Sequence, residues 1–79
     1  MYNNLTIGQK IRIARISLNV TRQELAEIAY VSPYSIANYE VGRRTPDLET
    51  LCLIADYFGM PLDELIGRIP PEEPKMKKR

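Results

Sequence analysis

The sequence of 79 residues contains no histidine and no tryptophan, and Cys52 is its single cysteine. One cysteine cannot form an internal disulfide, and without histidine or a cysteine pair no zinc site of the usual ligand spacing can be written. Histidine is also the common general base near neutral pH, and the sequence has no glycine-rich phosphate-binding loop. These absences argue against an enzyme, a metal and a cofactor. We expect Cys52 to be a small, partly buried apolar side chain rather than a redox sensor, because no basic residue adjoins it in the sequence.

Long apolar runs are missing as well. No run approaches the roughly 20 residues that a membrane-spanning helix needs. Residues 1–5 also lack the basic and then apolar order of a secretory signal. We therefore expect a cytoplasmic protein with no membrane partner.

The composition fits one small folded domain followed by a tail. The chain is 44% hydrophobic and 27% charged, which is typical of a compact soluble fold. Its last ten residues, PPEEPKMKKR, hold three prolines, six charged side chains and one apolar one, too little apolar surface to offset the entropy of ordering. The sequence predicts a domain in residues 1–69, a disordered charged tail in residues 70–79, and no small-molecule ligand.

The net charge of +1 hides an uneven distribution. Of the seven basic residues in positions 1–69, six precede Thr45, whereas five of the eight acidic residues follow it. One end of the domain is then positive and the other negative. Such an arrangement can present a basic face to phosphate while the overall charge stays near zero.

Capping residues and apolar spacing predict an all-α fold of five short helices. They lie at about residues 6–18, 22–29, 33–41, 48–58 and 61–66, and no stretch alternates with the period of a strand. Asp47 is predicted to cap the start of the fourth helix, and Gly59 is predicted to end it. The apolar residues that recur at helical spacing are predicted to face the core: Ile7, Ile11, Ala14, Leu18, Leu25, Ala26, Ala29, Leu48, Leu51, Ile54, Ala55, Phe58, Leu62 and Leu65.

The second and third predicted helices have the spacing of a helix-turn-helix, in which the second helix of the pair enters the DNA major groove. Thr21, with Glu24 three residues later, can cap one helix, and Ser32 before Pro33 can cap the other. The free N–H groups and the dipole of a helix N-terminus attract phosphate. Thr21 and Ser32 are therefore candidate phosphate-binding positions.

Four stretches carry a more specific resemblance: IGQKIRIAR, TRQELA, VSPYSIANYEVGRRTPDLETL and IADYFGMPLDELIG. Together they resemble the Cro and lambda-repressor type of helix-turn-helix domain, over about residues 7–67. The resemblance implies a compact five-helix bundle. It also implies sequence-specific binding of double-stranded DNA by a bacterial or phage transcriptional regulator, most simply a repressor that occupies an operator.

The resemblance places the base contacts on the third helix, at Pro33, Tyr34, Ser35 and Asn38. Tyr34 can lay its ring against a thymine methyl or give its hydroxyl to phosphate, and Asn38 has the amide for paired hydrogen bonds to adenine. Asn38 and Tyr34 are thus the leading candidates. The plainer alternative is that Asn38 only solvates its helix.

Five further positions follow from the same resemblance. Arg22 replaces a glutamine that is frequent in the family and is expected to hold phosphate. Arg43 and Arg44 follow the third helix and are expected to neutralise phosphate rather than only to be solvated. Arg15 and Glu40 match a buried ion pair that holds the third helix at its angle.

Tyr30 departs from the family, whose turn usually carries glycine at this position. If the backbone there has a positive φ, a tyrosine bears strain of about 1 kcal/mol or more.

Three large aliphatic residues, Ile13, Ile16 and Leu53, are predicted to face away from the core. Scattered apolar surface residues are ordinary, but these could also form an interface. A domain this small reads few base pairs, which favours a homodimer on a palindromic operator. In a second reading the same bundle is an antitoxin or an adaptor, and these residues contact a partner protein.

Overall fold

The computed structural model of the protein describes residues 4–67, which contain five helices and no strand. The helices are α1 (Asn4–Ser17), α2 (Arg22–Ala29), α3 (Pro33–Glu40), α4 (Leu48–Phe58) and α5 (Leu62–Leu65). The predicted all-α bundle of five helices is confirmed over this range. The tail predicted at residues 70–79 lies outside the described residues.

Every helix contributes one large aliphatic side chain that is fully buried at the centre of the bundle. These five side chains are Ile11, Leu25, Ile36, Ile54 and Leu65. Burying each stabilises the fold by roughly 1.5 to 3 kcal/mol relative to exposing it. Val31, Phe58, Met60, Leu62 and Ile66 pack against this core. A short helix such as α5 is held in place by this packing, since four residues cannot form a stable helix alone.

Two of the predicted core residues lie on the surface. Leu18 is 52% exposed because α1 ends at Ser17 and the chain turns at Asn19, whose φ is 61°, so that Val20 is buried instead. Leu48 is 66% exposed because it is the first residue of α4, where side chains point back past the helix start.

Cys52 is exposed rather than partly buried. The buried residues of α4 are Thr50, Leu51, Ile54 and Ala55, and Cys52 lies on the opposite side of the helix. The prediction of a small apolar residue against the core is therefore wrong.

The predicted caps at three helix starts are present. Thr21 Oγ1 accepts the Glu24 N–H at 3.0 Å while Glu24 Oε1 accepts the Thr21 N–H at 2.8 Å, a complete capping box. Asp47 caps α4, and the hydrogen bonds that its carboxylate accepts, first from the backbone N–H of Thr50 and then from its side chain, lower the pKa of Asp47. Local signals thus fix where these helices begin.

Tyr30 ends α2 with a φ of 60° and a ψ of 40°, the left-handed region, and is 85% exposed. We expect Tyr30→Gly to leave the free energy of unfolding unchanged or to raise it by up to about 1 kcal/mol, because glycine adopts this conformation without strain and an exposed ring loses little packing. Urea denaturation followed by circular dichroism would measure the change.

Tyr30→Ala is the matched control for that measurement. It removes the ring but keeps a Cβ in the left-handed conformation, so its free energy of unfolding should stay close to that of the parent protein. A clear loss of stability in Tyr30→Gly, shared by Tyr30→Ala, would mean that the ring stabilises the turn and that backbone strain does not dominate.

No helix within residues 4–67 combines the length and the apolar character that crossing a bilayer requires.

Candidate nucleic-acid interface

Helices α2 and α3 form a tight pair joined by three residues, Tyr30 to Ser32. The N–H groups of Tyr30 and Val31 both donate to the carbonyl oxygen of Ala26, which closes α2 and turns the chain sharply into α3. Leu25 and Ala26 of α2 and Ile36 of α3 are buried in the shared core. The first turn of α3 is thereby fixed relative to α2 while its outer side stays open to solvent.

The N-terminal end of α3 is exposed, as the sequence predicts. Ser32, Pro33 and Tyr34 are exposed, with Tyr34 at 70%, and Ser35 is half-buried. Ser32 Oγ accepts the Ser35 N–H at 3.1 Å and lies 3.2 Å from the Ser35 hydroxyl. This end of the helix therefore presents the tyrosine as its most prominent side chain.

The expectation that Asn38 also faces outward is wrong, since Asn38 is only 6% exposed. The chain that leaves α3 folds back over its last turn, and the backbone N–H groups of Arg43 and Arg44 both donate to the Asn38 carbonyl oxygen, at 2.9 and 3.3 Å. These two bonds close the end of α3, and the Asn38 side chain is buried in the folded bundle. The sequence did not show this, because burial depends on segments that are distant along the chain.

Arg15 and Glu40 form the expected ion pair between α1 and α3. Arg15 Nε lies 2.6 Å from Glu40 Oε2 and Arg15 Nη2 lies 3.2 Å from Glu40 Oε1, a two-pronged contact. Arg15 Nη1 also donates to the Val20 carbonyl oxygen at 2.9 Å. The Glu40 side chain is fully buried and the Arg15 side chain is 13% exposed, so this pair lies inside the bundle.

Arg22 makes a second contact with Glu40 that the sequence did not predict. Its Nε donates to Glu40 Oε1 at 3.1 Å, while the side chain is 45% exposed. Two guanidinium groups therefore share one carboxylate and leave a net positive charge where α2 meets the end of α3. Because Nε faces Glu40, the partly exposed guanidinium is oriented by the fold.

Arg43 and Arg44 are exposed in the turn after α3, and their backbones are bonded to Asn38. The Arg22 guanidinium is thus bonded to Glu40 at the end of α3, and the backbones of Arg43 and Arg44 are bonded to the Asn38 carbonyl oxygen of the same helix. Thr21, the other predicted phosphate position, is exposed at the start of α2. One arginine therefore contacts the end of α3 and two exposed arginines follow it in the chain, while the first turn of the helix is open.

The three aliphatic residues that were predicted to face away from the core differ in their exposure. Ile13 and Ile16 are 64% and 55% exposed, but Leu53 is only half-buried. Leu53 lines a cleft with Tyr30 and Val31, whereas Ile13 lines another with Met60. Leu53 therefore does not share a cleft with Ile13.

Within residues 4–67, no cluster of cysteine, aspartate and glutamate side chains could hold a metal ion. Every buried side-chain nitrogen or oxygen in the same range has a hydrogen-bond partner.

Helices α2 and α3 form a tight pair in which the start of α3 is exposed, and the buried Arg15–Glu40 ion pair connects α1 to the end of α3. This arrangement defines a helix-turn-helix domain. The family model for the helix-turn-helix matches residues 11–65, and the chain belongs to this family, in its Cro and lambda-repressor type.

Curated relatives are bacterial and phage regulators. The chain is 34% identical over 63 residues to the HTH-type transcriptional activator BcrR of Enterococcus faecalis, covering 80% of this chain and 31% of that protein. It is 33% identical over 63 residues to the immunity repressor protein of Bacillus phage phi105, covering 80% of this chain and 44% of that protein. The chain thus spans less than half the length of either relative.

Solved structures share the fold. The clp gene regulator ClgR of Corynebacterium glutamicum has a TM-score of 0.74 at 29% identity, covering 78% of this chain and 66% of that one. The P22 c2 repressor, crystallised in complex with synthetic operator 9T, has a TM-score of 0.75 at 24% identity, covering 80% of this chain and 96% of that one. At 24% identity, the similarity to the P22 c2 repressor shows only that the fold is shared.

Proposed function

We propose that this chain binds double-stranded DNA in a sequence-specific manner and regulates transcription, most simply as a repressor that occupies its operator. The observation that carries the proposal is the exposed first turn of α3, with Arg22 bonded to Glu40 at the end of the same helix and the exposed Arg43 and Arg44 in the turn that follows it. The printed names of the curated relatives, an activator and a phage repressor, support the proposal. Such a regulator acts in the cytoplasm and without a catalytic step.

Phosphate contacts are assigned to the positions where positive charge is exposed. Arg22 is directed by its Nε bond to Glu40, and Arg43 and Arg44 extend from the turn after α3. Thr21 and Ser32 lie at the starts of α2 and α3, where backbone N–H groups and the helix dipole favour an anion. Such contacts set register and affinity, and the exposed Pro33 and Tyr34, with the half-buried Ser35, reach toward the bases.

A homodimer on a palindromic operator is the arrangement we propose for the complex. One α3 reads only a few base pairs, and two symmetric copies reach half-sites about 34 Å apart. Ile13 and Ile16 are the exposed aliphatic side chains assigned to the interface, and the half-buried Leu53 contributes less.

Selection of sites from random duplex DNA, followed by mobility shift, tests the proposed function. We expect a short palindrome to be enriched. We also expect the double variant Arg43→Ala, Arg44→Ala to weaken binding to all duplexes alike and to reduce the slope of log affinity against log salt by roughly 2.

Lys10→Ala is the control, because Lys10 lines a cleft with Met60 and Glu64, on the side of α1 opposite Gly8 and Arg15, which contact α3. It should change the salt slope little. Failure of the protein to retain any duplex at low salt would remove the proposal.

The exposure of Ile13 and Ile16 also suits a second function, that of an antitoxin or adaptor that binds another protein. In that case a second protein should co-purify in a fixed ratio and be lost in the double variant Ile13→Ser, Ile16→Ser. Retention of that ratio in the variant would exclude these residues as the contact.

A further inference from the structure

The exposed side of α3, together with Val41 that follows the helix directly, is apolar. Tyr34 and Val41 are 70% and 60% exposed, Pro33 is exposed, and Ala37 is half-buried. Residues 34, 37 and 41 follow the spacing that places side chains on one side of a helix. These four residues, Pro33, Tyr34, Ala37 and Val41, form what we call the reading face.

Polar side chains near the reading face are already engaged or covered. The Ser32 and Ser35 hydroxyls bond with each other, and Ser32 also caps the helix. Asn38 is 6% exposed and Glu40 is bonded to two arginines. Within α3, Tyr34 is therefore the exposed residue whose side chain carries a polar group, its hydroxyl. An adenine-reading amide is not available on this face.

The charges near the reading face indicate what kind of surface it binds. Arg22 is bonded to Glu40, and the exposed Arg43 and Arg44 follow Val41 by two and three positions. An apolar strip flanked by cationic residues complements a surface with phosphates at its margins and apolar groups at its centre. The major groove has this character where thymines are present, because thymine alone among the four bases carries a C5-methyl group there.

We propose that the reading face recognises thymine methyl groups, so that the operator half-site is selected mainly by apolar contact with Tyr34 and Val41. The inference rests on the proposed function, since it requires α3 to lie in the major groove. It adds Ala37 and Val41 to the residues that determine specificity. Their helical spacing from Tyr34 was the sequence signal that could have pointed to them.

Replacement of thymine by deoxyuridine tests this inference directly, because the exchange removes the methyl group and keeps every hydrogen-bonding atom. In the duplex selected from random DNA, we expect one or more single replacements per half-site to weaken binding about fourfold each, the effect of one apolar carbon. Replacement of adenine by 7-deazaadenine, which removes the N7 acceptor, should change binding by less.

Val41→Ala links the effect to the proposed residue. Val41 is exposed, so the variant should fold, and its preference for thymine over deoxyuridine should fall at one position of each half-site. Leu48→Ala, which removes a similarly exposed aliphatic side chain outside the reading face, should keep the full preference.

A selected duplex that binds equally well with deoxyuridine at every thymine would overturn the inference and leave the proposed function intact. Loss of binding concentrated at 7-deazaadenine would do the same, because it would mean that hydrogen bonds read the site. Absence of binding to any duplex would overturn both the inference and the proposed function.

Discussion

Replacing Glu40 with alanine is expected to lower the free energy of unfolding by about 3 to 5 kcal/mol, because it leaves a buried arginine without its partner. Arg15 is 13% exposed and directs Nε and Nη2 at the Glu40 carboxylate, at 2.6 and 3.2 Å. Small domains are stable by only roughly 5 to 15 kcal/mol, so the melting temperature should fall sharply. DNA affinity should fall as well, since Arg22 loses the bond that directs it.

Urea denaturation followed by circular dichroism measures the stability, and affinity is compared at a temperature at which the variant is still folded. Glu27→Ala, at an exposed glutamate of α2, is the control and should stay within about 0.5 kcal/mol of the parent protein. Arg22→Ala should lower the free energy of unfolding by less than about 1 kcal/mol, because the Arg22 side chain is 45% exposed and solvent screens its contact with Glu40. Unchanged stability in Glu40→Ala would refute the role of the pair.

Replacing Gly8 with alanine is expected to destabilise the protein by about 1 to 3 kcal/mol or more, although alanine is the better helix former by about 1 kcal/mol. A Cβ at position 8 would clash with the carbonyl oxygen of Tyr39 and would lie 2.9 Å from that of Glu40. Both contacts are to backbone, so α1 and α3 would have to separate rather than adjust a side chain.

The same denaturation measurement checks Gly8→Ala, with Gln9→Ala as the control on the exposed side of α1. Separation of the two helices should also lengthen the Arg15–Glu40 contact. We therefore expect the double variant Gly8→Ala, Glu40→Ala to lose less stability than the two single losses combined. A gain of stability in Gly8→Ala would mean that the helices move apart without cost.

The starts and ends of the helices could be predicted because their causes lie within a few residues. The Thr21 and Glu24 capping box, Ser32 before Pro33, and Gly59 after α4 all act over at most four positions, and the structure has each of them. The helical spacing of Ile11, Leu25 and Ile54 likewise identified buried residues. The same spacing wrongly placed Leu18 in the core, because α1 ends at Ser17 and Leu18 is exposed.

The base-contact residues were harder to predict. The resemblance led to Tyr34, which is exposed, but also to Asn38, which is buried. The difference arises in the folded bundle, where the packing leaves Tyr34 70% exposed and Asn38 only 6% exposed. Helical spacing describes the direction of a side chain and carries no information on what another segment places in front of it.

The sequence by itself determined the five helices, their caps and the Arg15–Glu40 partnership, since propensity and capping are local and the partnership follows a family pattern. Only the tertiary structure decided that Arg22 shares Glu40 across 18 positions, that Gly8 lies against the backbone of α3, and that Asn38 is covered. Each of these depends on how closely two distant segments approach. That distance is set by the packing of the whole core, to which every helix contributes.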